Sequence, residues 1–175
     1  MIETKRTILR PIEPTDNEQL FSYKSDSEAN KYQGWIPKSL KDVDEFISKI
    51  PTEFNKPETW FQLVIIEKET DEIIGDIGVH FIDSNNFQCE IGCTLNKKIQ
   101  GKGYATETVG VVIDYLFNKL GKHRIIASID PENKSSIALV ERLGFRKEAH
   151  FKQSLLINEK WVDDIIYAML KSDLK

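Results

Sequence analysis

A change of period between residues 87 and 121 limits this chain more than any other feature. Residues 87–95 form a β-rich run, Gln100-Gly101-Lys102-Gly103 follows, and Ala105, Val109, Val112, Ile113, Leu116, Phe117 and Leu120 then recur at helical spacing until Gly121. A strand that enters a helix through Gly-x-Gly leaves the first helical N–H groups unpaired and puts the positive end of the helix dipole at the loop. Gly101 and Gly103 permit positive φ and close approach, and Lys102 adds a cation. The segment therefore reads either as a phosphate cradle or as a tight strand-to-helix turn.

Upstream, residues 7–12 read as a short strand bounded by Pro11 and Pro14. Thr15-Asp16 is placed to cap a helix reaching about Lys24, and Ser39 with Asp42 is a capping signal for a helix over 42–50. Residues 26–38, with Tyr32, Gly34, Trp35 and Pro37, read as a structured loop. Residues 60–66, 73–82 and 87–95 are β-rich runs separated by Glu69-Thr70-Asp71-Glu72 and Asp83-Ser84-Asn85-Asn86, which predicts a three-strand antiparallel meander. Downstream come a strand over 124–129, a helix over 133–143 closed by Gly144, and strands around 145–156 and 161–170 turning at Asn158-Glu159. The order β-α-α-β-β-β-α-β-α-β-β predicts an α/β (α+β) fold: a mixed, mostly antiparallel seven-stranded sheet with helices on both faces. Without a repeat, a low-complexity stretch or a Gly/Ser linker, residues 1–175 read as one domain.

Composition narrows the function classes. At 175 residues, 40% hydrophobic and 30% charged, such a chain buries roughly 70% of its unfolded surface, enough for a core without a disulfide or metal. Cys89 and Cys93 form no C-x-x-C pair, and His80, His123 and His150 are scattered, which predicts no metal and a reducing cytoplasm. No apolar h-region follows the first basic residues and no 18-residue apolar run occurs, so neither export nor a membrane partner is expected. Basic and acidic residues are interspersed at a net charge of −4, which argues against nucleic acid and mildly favours a cationic partner.

Three phosphate-binding patterns can be set against the glycine loop. A Walker loop needs G-x-x-x-x-G-K-[S/T], whereas Lys102 lies between the glycines with no Ser or Thr after it. A dinucleotide fingerprint needs a small residue where Thr106 stands, and belongs in the first βαβ unit rather than behind an antiparallel meander. The third pattern fits: Gln100-Gly101-Lys102-Gly103-Tyr104-Ala105 resembles the Q/R-x-x-G-x-G/A signature of the GNAT acetyltransferases. Gln100 to Glu107, Asn133-x-x-Ser136 and Glu141-Arg142-Leu143-Gly144-Phe145 resemble the RimJ/RimL-like branch. Leu9-Arg10-Pro11, Ile74-Gly75, Glu90-Ile91-Gly92 and Asp164 also fall in family order.

The resemblance implies acetyl transfer from acetyl-CoA to a primary amine, either a protein N-terminal amine or a small-molecule amine, by direct attack in a ternary complex. It assigns the pyrophosphate to Gln100, Gly101, Lys102, Gly103, Tyr104, Ala105 and Thr106. It gives the pantetheine arm and thioester to the main chain of Cys93 and Leu95, on a strand that splays from its parallel neighbour, and a pantetheine contact to Asn133, which is also a natural cap for its helix. Ser136 is carried over as the hydroxyl near the sulfur. Many relatives place a tyrosine acid where this chain has Val140, so Ser136 is left as the proton donor. Cys93 reads as a small buried hydrophobe rather than a nucleophile.

An attacking ammonium must lose a proton, and Glu90 is the first choice of base, with Asp76 second. Glu107, in the first helical turn, reads as structural. Tyr32, Trp35 and Asp76, with Trp60 and Trp161, are expected around the acceptor, where aromatic walls and an acidic rim suit a cation. An acyl-CoA-binding module without transfer, motivated by Val140, and a plain structural turn are the alternatives. The last hairpin is the surface a second copy would use, and both monomer and dimer stay open.

Overall fold

The computed structural model describes residues 2–157 and 159–174. Eight strands form one sheet in the order β1-β2-β3-β4-β5-β6-β8-β7: β1 Ile2–Glu3, β2 Thr7–Pro11, β3 Thr59–Glu67, β4 Ile73–Phe81, β5 Gln88–Leu95, β6 Arg124–Ile129, β7 Arg146–Ile157 and β8 Lys160–Leu170. The helices are α1 Asn17–Lys24, α2 Leu40–Lys49, α3 Tyr104–Asn118 and α4 Lys134–Leu143. The sheet has one strand more than the seven expected. β1 is two residues long, too short to show a period, and exists because Ile2 and Glu3 pair with Leu9 and Ile8. The expected turn at 158–159 falls partly on Asn158, outside the described residues.

Capping chemistry explains the helices. The Ser39 hydroxyl accepts the Asp42 N–H at 3.3 Å while the Asp42 carboxylate accepts the Ser39 N–H at 3.0 Å, a reciprocal cap that starts α2. At α1 the expected cap is not made. The Asp16 carboxylate instead accepts both guanidinium N–H groups of Arg10 at 2.7 Å and the Glu13 N–H, tying β2 to the helix start. Gly144 closes α4 in the left-handed region at φ 97.

β3 buries both faces, and its alternation sorts the core. Phe61, Leu63 and Ile65 point to the side covered by α3 and α4, with Val109, Val112, Ile113, Leu116 and Val140. Val64 and Ile66 point to the other, with Leu20, Tyr23, Val43 and Ile47 of α1 and α2.

All strand pairs are antiparallel except β5 with β6. That parallel pair holds only at Gln88↔Arg124, Cys89↔Ile125 and Glu90↔Ile126. Beyond Glu90, β5 stays with β4 as far as Leu95, and β6 stays with β8 as far as Ile129. The two halves of the sheet therefore part, leaving one side of residues 91–95 without a strand partner.

Candidate active site

Gly101 and Gly103 both adopt left-handed φ, 77° and 82°. A Cβ at Gly101 would meet nothing within 4 Å and one at Gly103 only Arg6 Nη2 at 3.6 Å, so backbone conformation rather than space requires glycine. Gly103 is the N-cap of α3 and has no side chain to satisfy the first helical N–H groups, while Tyr104, Ala105 and Thr106 line a cleft of about 780 Å³. The opposite wall is α4, with Ser135, Ser136, Leu139 and Arg142. Uncapped N–H groups, a helix dipole and an open cleft with a cation across it are a donor set that fits a pyrophosphate.

The loop is held from far away in sequence. Arg6 Nε donates to Glu107 Oε2 at 2.7 Å, the Arg6 N–H to Glu107 Oε1 at 3.0 Å, and Arg6 Nη1 to the Lys102 carbonyl at 3.0 Å. The guanidinium also lies 4.0 Å above the Tyr104 ring, whose hydroxyl donates to Glu67. Glu107 is thus structural, as its position in the first turn suggested. Gln100 donates its side-chain amide to the Leu95 carbonyl at 3.0 Å, joining the loop to the end of β5. The Lys102 side chain is exposed and outside the cleft lining.

Two contributors escaped the sequence reading. Arg142 Nη1 donates to Thr106 Oγ1 at 3.2 Å and lines the cleft mouth. Its signal was the spacing 135, 138/139, 142, the helical face already marked by Asn133 and Ser136. Arg6 had no local signal, because its partner is 101 positions away.

Where β5 and β6 part, a cavity of about 130 Å³ is lined by Ile91, Gly92 and Cys93 of β5, Ala127, Ser128 and Ile129 of β6, and Asn133, Ser136, Leu139 and Val140. Cys93, Ser136 and Leu139 line this cavity and the cleft alike. Asn133 Oδ1 accepts the Ser136 N–H at 3.2 Å and the Ser135 hydroxyl at 2.9 Å, so its capping role is realised while its Nδ2 makes no bond among the described residues. The Ser136 hydroxyl likewise has no side-chain bond among them. Val140 is buried in the wall and brings no hydroxyl. Burial, then the Asp76 charge, push the Cys93 thiol up to about 12, which keeps it protonated at neutral pH and unsuited to attack.

On the far side of the split lies a third cavity, of about 590 Å³. Tyr32, Ile91, Gly92, Ser128 and Asp130 line both it and the junction. Trp35, stacked on Phe46 at 4.6 Å, and Trp60, stacked on His80 at 4.7 Å, form aromatic walls, and the Tyr32 hydroxyl donates to the Glu132 carbonyl at 3.1 Å. Trp161 does not take part. It is 61% exposed, while Val162, its neighbour on the opposite face of β8, lines the cavity.

Glu90 faces this cavity from the last bonded register before the split. Burial, reinforced by the Asp164 charge, raises its carboxyl above the ordinary range, and His80 Nδ1 stands 3.9 Å from it. Asp76 is different from what was expected. It lies in the cavity floor at 2% exposure, with Lys24 Nζ 3.0 Å away, the Tyr23 hydroxyl donating at 2.7 Å and the Gln62 amide on its other oxygen. Both oxygens already hold partners, which makes Asp76 a weaker candidate base than Glu90.

Residues 6–146 match the acetyltransferase (GNAT) domain family. The chain is 35% identical over 174 residues to the uncharacterised N-acetyltransferase p20 of Bacillus licheniformis, covering 97% of this chain and 96% of that one. It is 34% identical over 122 residues to the ribosomal protein uS5-alanine N-acetyltransferase of Escherichia coli, covering 69% and 63%. A crystal structure of a GNAT-family acetyltransferase from Bacillus anthracis superposes with a TM-score of 0.87 at 30% identity, over 98% of each chain. No helix among the described residues is long and apolar enough to cross a membrane. With the glycine loop, the uncapped helix and the parted strands in place, this chain belongs to the GNAT acetyltransferases and is an acetyl-CoA-dependent N-acetyltransferase.

Proposed function

We propose that the protein, as one domain over residues 1–175, transfers the acetyl group of acetyl-CoA to a primary amine, protein N-terminal or small-molecule, by direct attack in a ternary complex. The observation that carries this reading is the parting of β5 from β6 after Glu90↔Ile126, because the gap joins the cleft behind the sheet to the acidic, aromatic cavity in front of it. Acetyl-CoA supplies an activated acyl carbon, at which a C–N bond forms as the C–S bond breaks.

The chain's own groups divide the remaining work. The first turn of α3, with Arg142 opposite, neutralises the pyrophosphate. The open edge of β5 at Cys93 and Leu95 and the free Asn133 Nδ2 take the pantetheine amides, and Gln100 holds the Leu95 carbonyl in place. Glu90 takes the ammonium proton. A carboxyl raised toward the working pH is a better match for that task than an ordinary one. The Ser136 hydroxyl donates to the departing sulfur and is reprotonated by the second proton that the attacking nitrogen sheds once the C–N bond forms; the sulfur leaves readily because a thiol pKa is about 8.5. Tyr32 and Trp35 flank the amine. On this reading the enzyme works in a reducing cytoplasm, where the free thiols of Cys89 and Cys93 persist. The exposed Phe151, Leu156 and Trp161 on the hairpin at the sheet edge are where a second copy would pack.

The test is thermal unfolding with acetyl-CoA, followed by thiol release with an acceptor panel. Ligand at about 100 times Kd adds roughly 2.7 kcal/mol to the folded state. The rise should vanish in Gly103→Pro, since proline cannot adopt φ 82. No rise in the wild type refutes the cofactor site; a rise without thiol release on any amine refutes transfer and leaves an acyl-CoA-binding module.

A further inference from the structure

The acceptor cavity holds more negative charge than its own lining neutralises. Five carboxylates face it, and Lys24 is the single lysine or arginine in its wall. Lys24 is spent on Asp76, and Asp163 is spent outward on Lys152 Nζ and His150 Nε2, each at 2.8 Å. That leaves Glu90, Asp130 and Asp164. Asp164 is the informative one, since it is 93% buried by its 7% exposure yet has no ion-pair partner among the described residues. One of its oxygens accepts the Ser128 hydroxyl at 2.8 Å, while the other has no partner and is not sealed off, so it opens to the cavity the residue lines.

A buried carboxylate without a counter-charge is costly, and a second one close by raises the cost. Glu90, across the split, compounds the strain, and a single ammonium that must surrender its proton to Glu90 leaves Asp164 uncompensated during the reaction. We propose that Asp164 is a second cation subsite and that the acceptor is a linear aliphatic diamine or polyamine, one amine reacting at Glu90 while another stays charged against Asp164. The inference rests on the amine acetyltransferase reading and narrows its acceptor. A protein N-terminus with neutral following residues carries no second positive charge to place against Asp164. Trp60 and Trp35 supply walls for the methylenes and for cation–π contact.

Calorimetric titration of the CoA-loaded protein with 1,4-diaminobutane and with 1-aminobutane tests this without requiring turnover. The expected result is one site per chain with the diamine bound roughly ten- to a hundredfold tighter, the worth of one charged hydrogen-bonded contact. Asp164→Asn should bring the two affinities within about threefold while keeping the acetyl-CoA melting shift, and Asp164→Glu should restore part of the preference. A wild type that binds the monoamine as tightly as the diamine overturns the proposal by itself, even if the variants do not fold. A preference that survives Asp164→Asn overturns it too. Thiol release, measured in parallel with both amines and an alanine-initiated neutral tripeptide, separates the two readings. Release with every amine but no diamine preference refutes the subsite alone, whereas diamine-selective binding without release refutes transfer and keeps the subsite.

Discussion

Removing the Lys24 ammonium should be among the most damaging single changes in this protein, although it touches no reacting atom. In Lys24→Met the side-chain volume is roughly kept and Asp76, 2% exposed, retains only the neutral donors Tyr23 and Gln62. Breaking a buried pair by deleting one member costs about 3–5 kcal/mol, because the remaining charge stays almost wholly buried without a counter-ion. For a chain of this size each kcal/mol lowers Tm by roughly 2–4 °C, so the variant should melt about 6–20 °C lower. The companion variant Lys24→Met/Asp76→Asn removes both charges and leaves an amide to bond Tyr23 and Gln62, so it should recover at least half of the loss. Urea unfolding of the wild type, both single variants and the double variant gives the coupling directly, provided the slopes agree. A cost below about 1 kcal/mol for Lys24→Met, the value of a solvated surface pair, would refute the claim that this pair is a sealed element of the cavity floor. Strict additivity of the two single changes would refute it as well.

Glu90→Gln should lower kcat by about a hundred- to ten-thousandfold, as loss of a general base does. Because the raised Glu90 carboxyl works deprotonated, wild-type kcat/KM should fall as pH drops through that raised value, and this limb should disappear in the variant; an unchanged profile would exclude Glu90 as the base. Since the fold raises its pKa, it holds this charge at a cost, and the same substitution should raise Tm near neutral pH, which a melting curve checks. Ser136→Ala should reduce kcat by about ten- to a thousandfold with the acetyl-CoA melting shift retained, and an unchanged kcat would remove Ser136 as proton donor. Cys93, with its thiol near 12, should react with iodoacetamide at pH 7.5 at least about a thousandfold more slowly than a free thiol; ordinary labelling with activity lost would reopen it as a reactive group.

Elements whose cause is local were legible in the chain. The reciprocal Ser39–Asp42 cap, the period of α3, the left-handed glycines at 101, 103 and 144, and Asn133 as a helix cap each depend on residues within a turn of one another. Gly103 could be placed at the head of α3 because a helix start, an absent capping side chain and a positive φ are read from adjacent positions.

Tertiary structure decided which of these positions have free chemical capacity. Asp76 and Glu90 are both carboxylates on strands of the meander, alike in sequence. Packing put Lys24 and Tyr23 of α1 and Gln62 of β3 onto the first, while the second was left facing an opening with Asp164 near it. Arg6 grips the glycine loop from 101 positions away, and β1 is a strand only because β2 folds back on it. The parting of β5 from β6 is of the same kind, since each strand is bonded along its length to a different neighbour and the gap between them appears in neither segment's pattern. Periodicity and capping act between residues a few bonds apart, so the chain alone determines them. Charge compensation and strand separation depend on which distant groups share a low-dielectric volume, and only the folded sheet determines that.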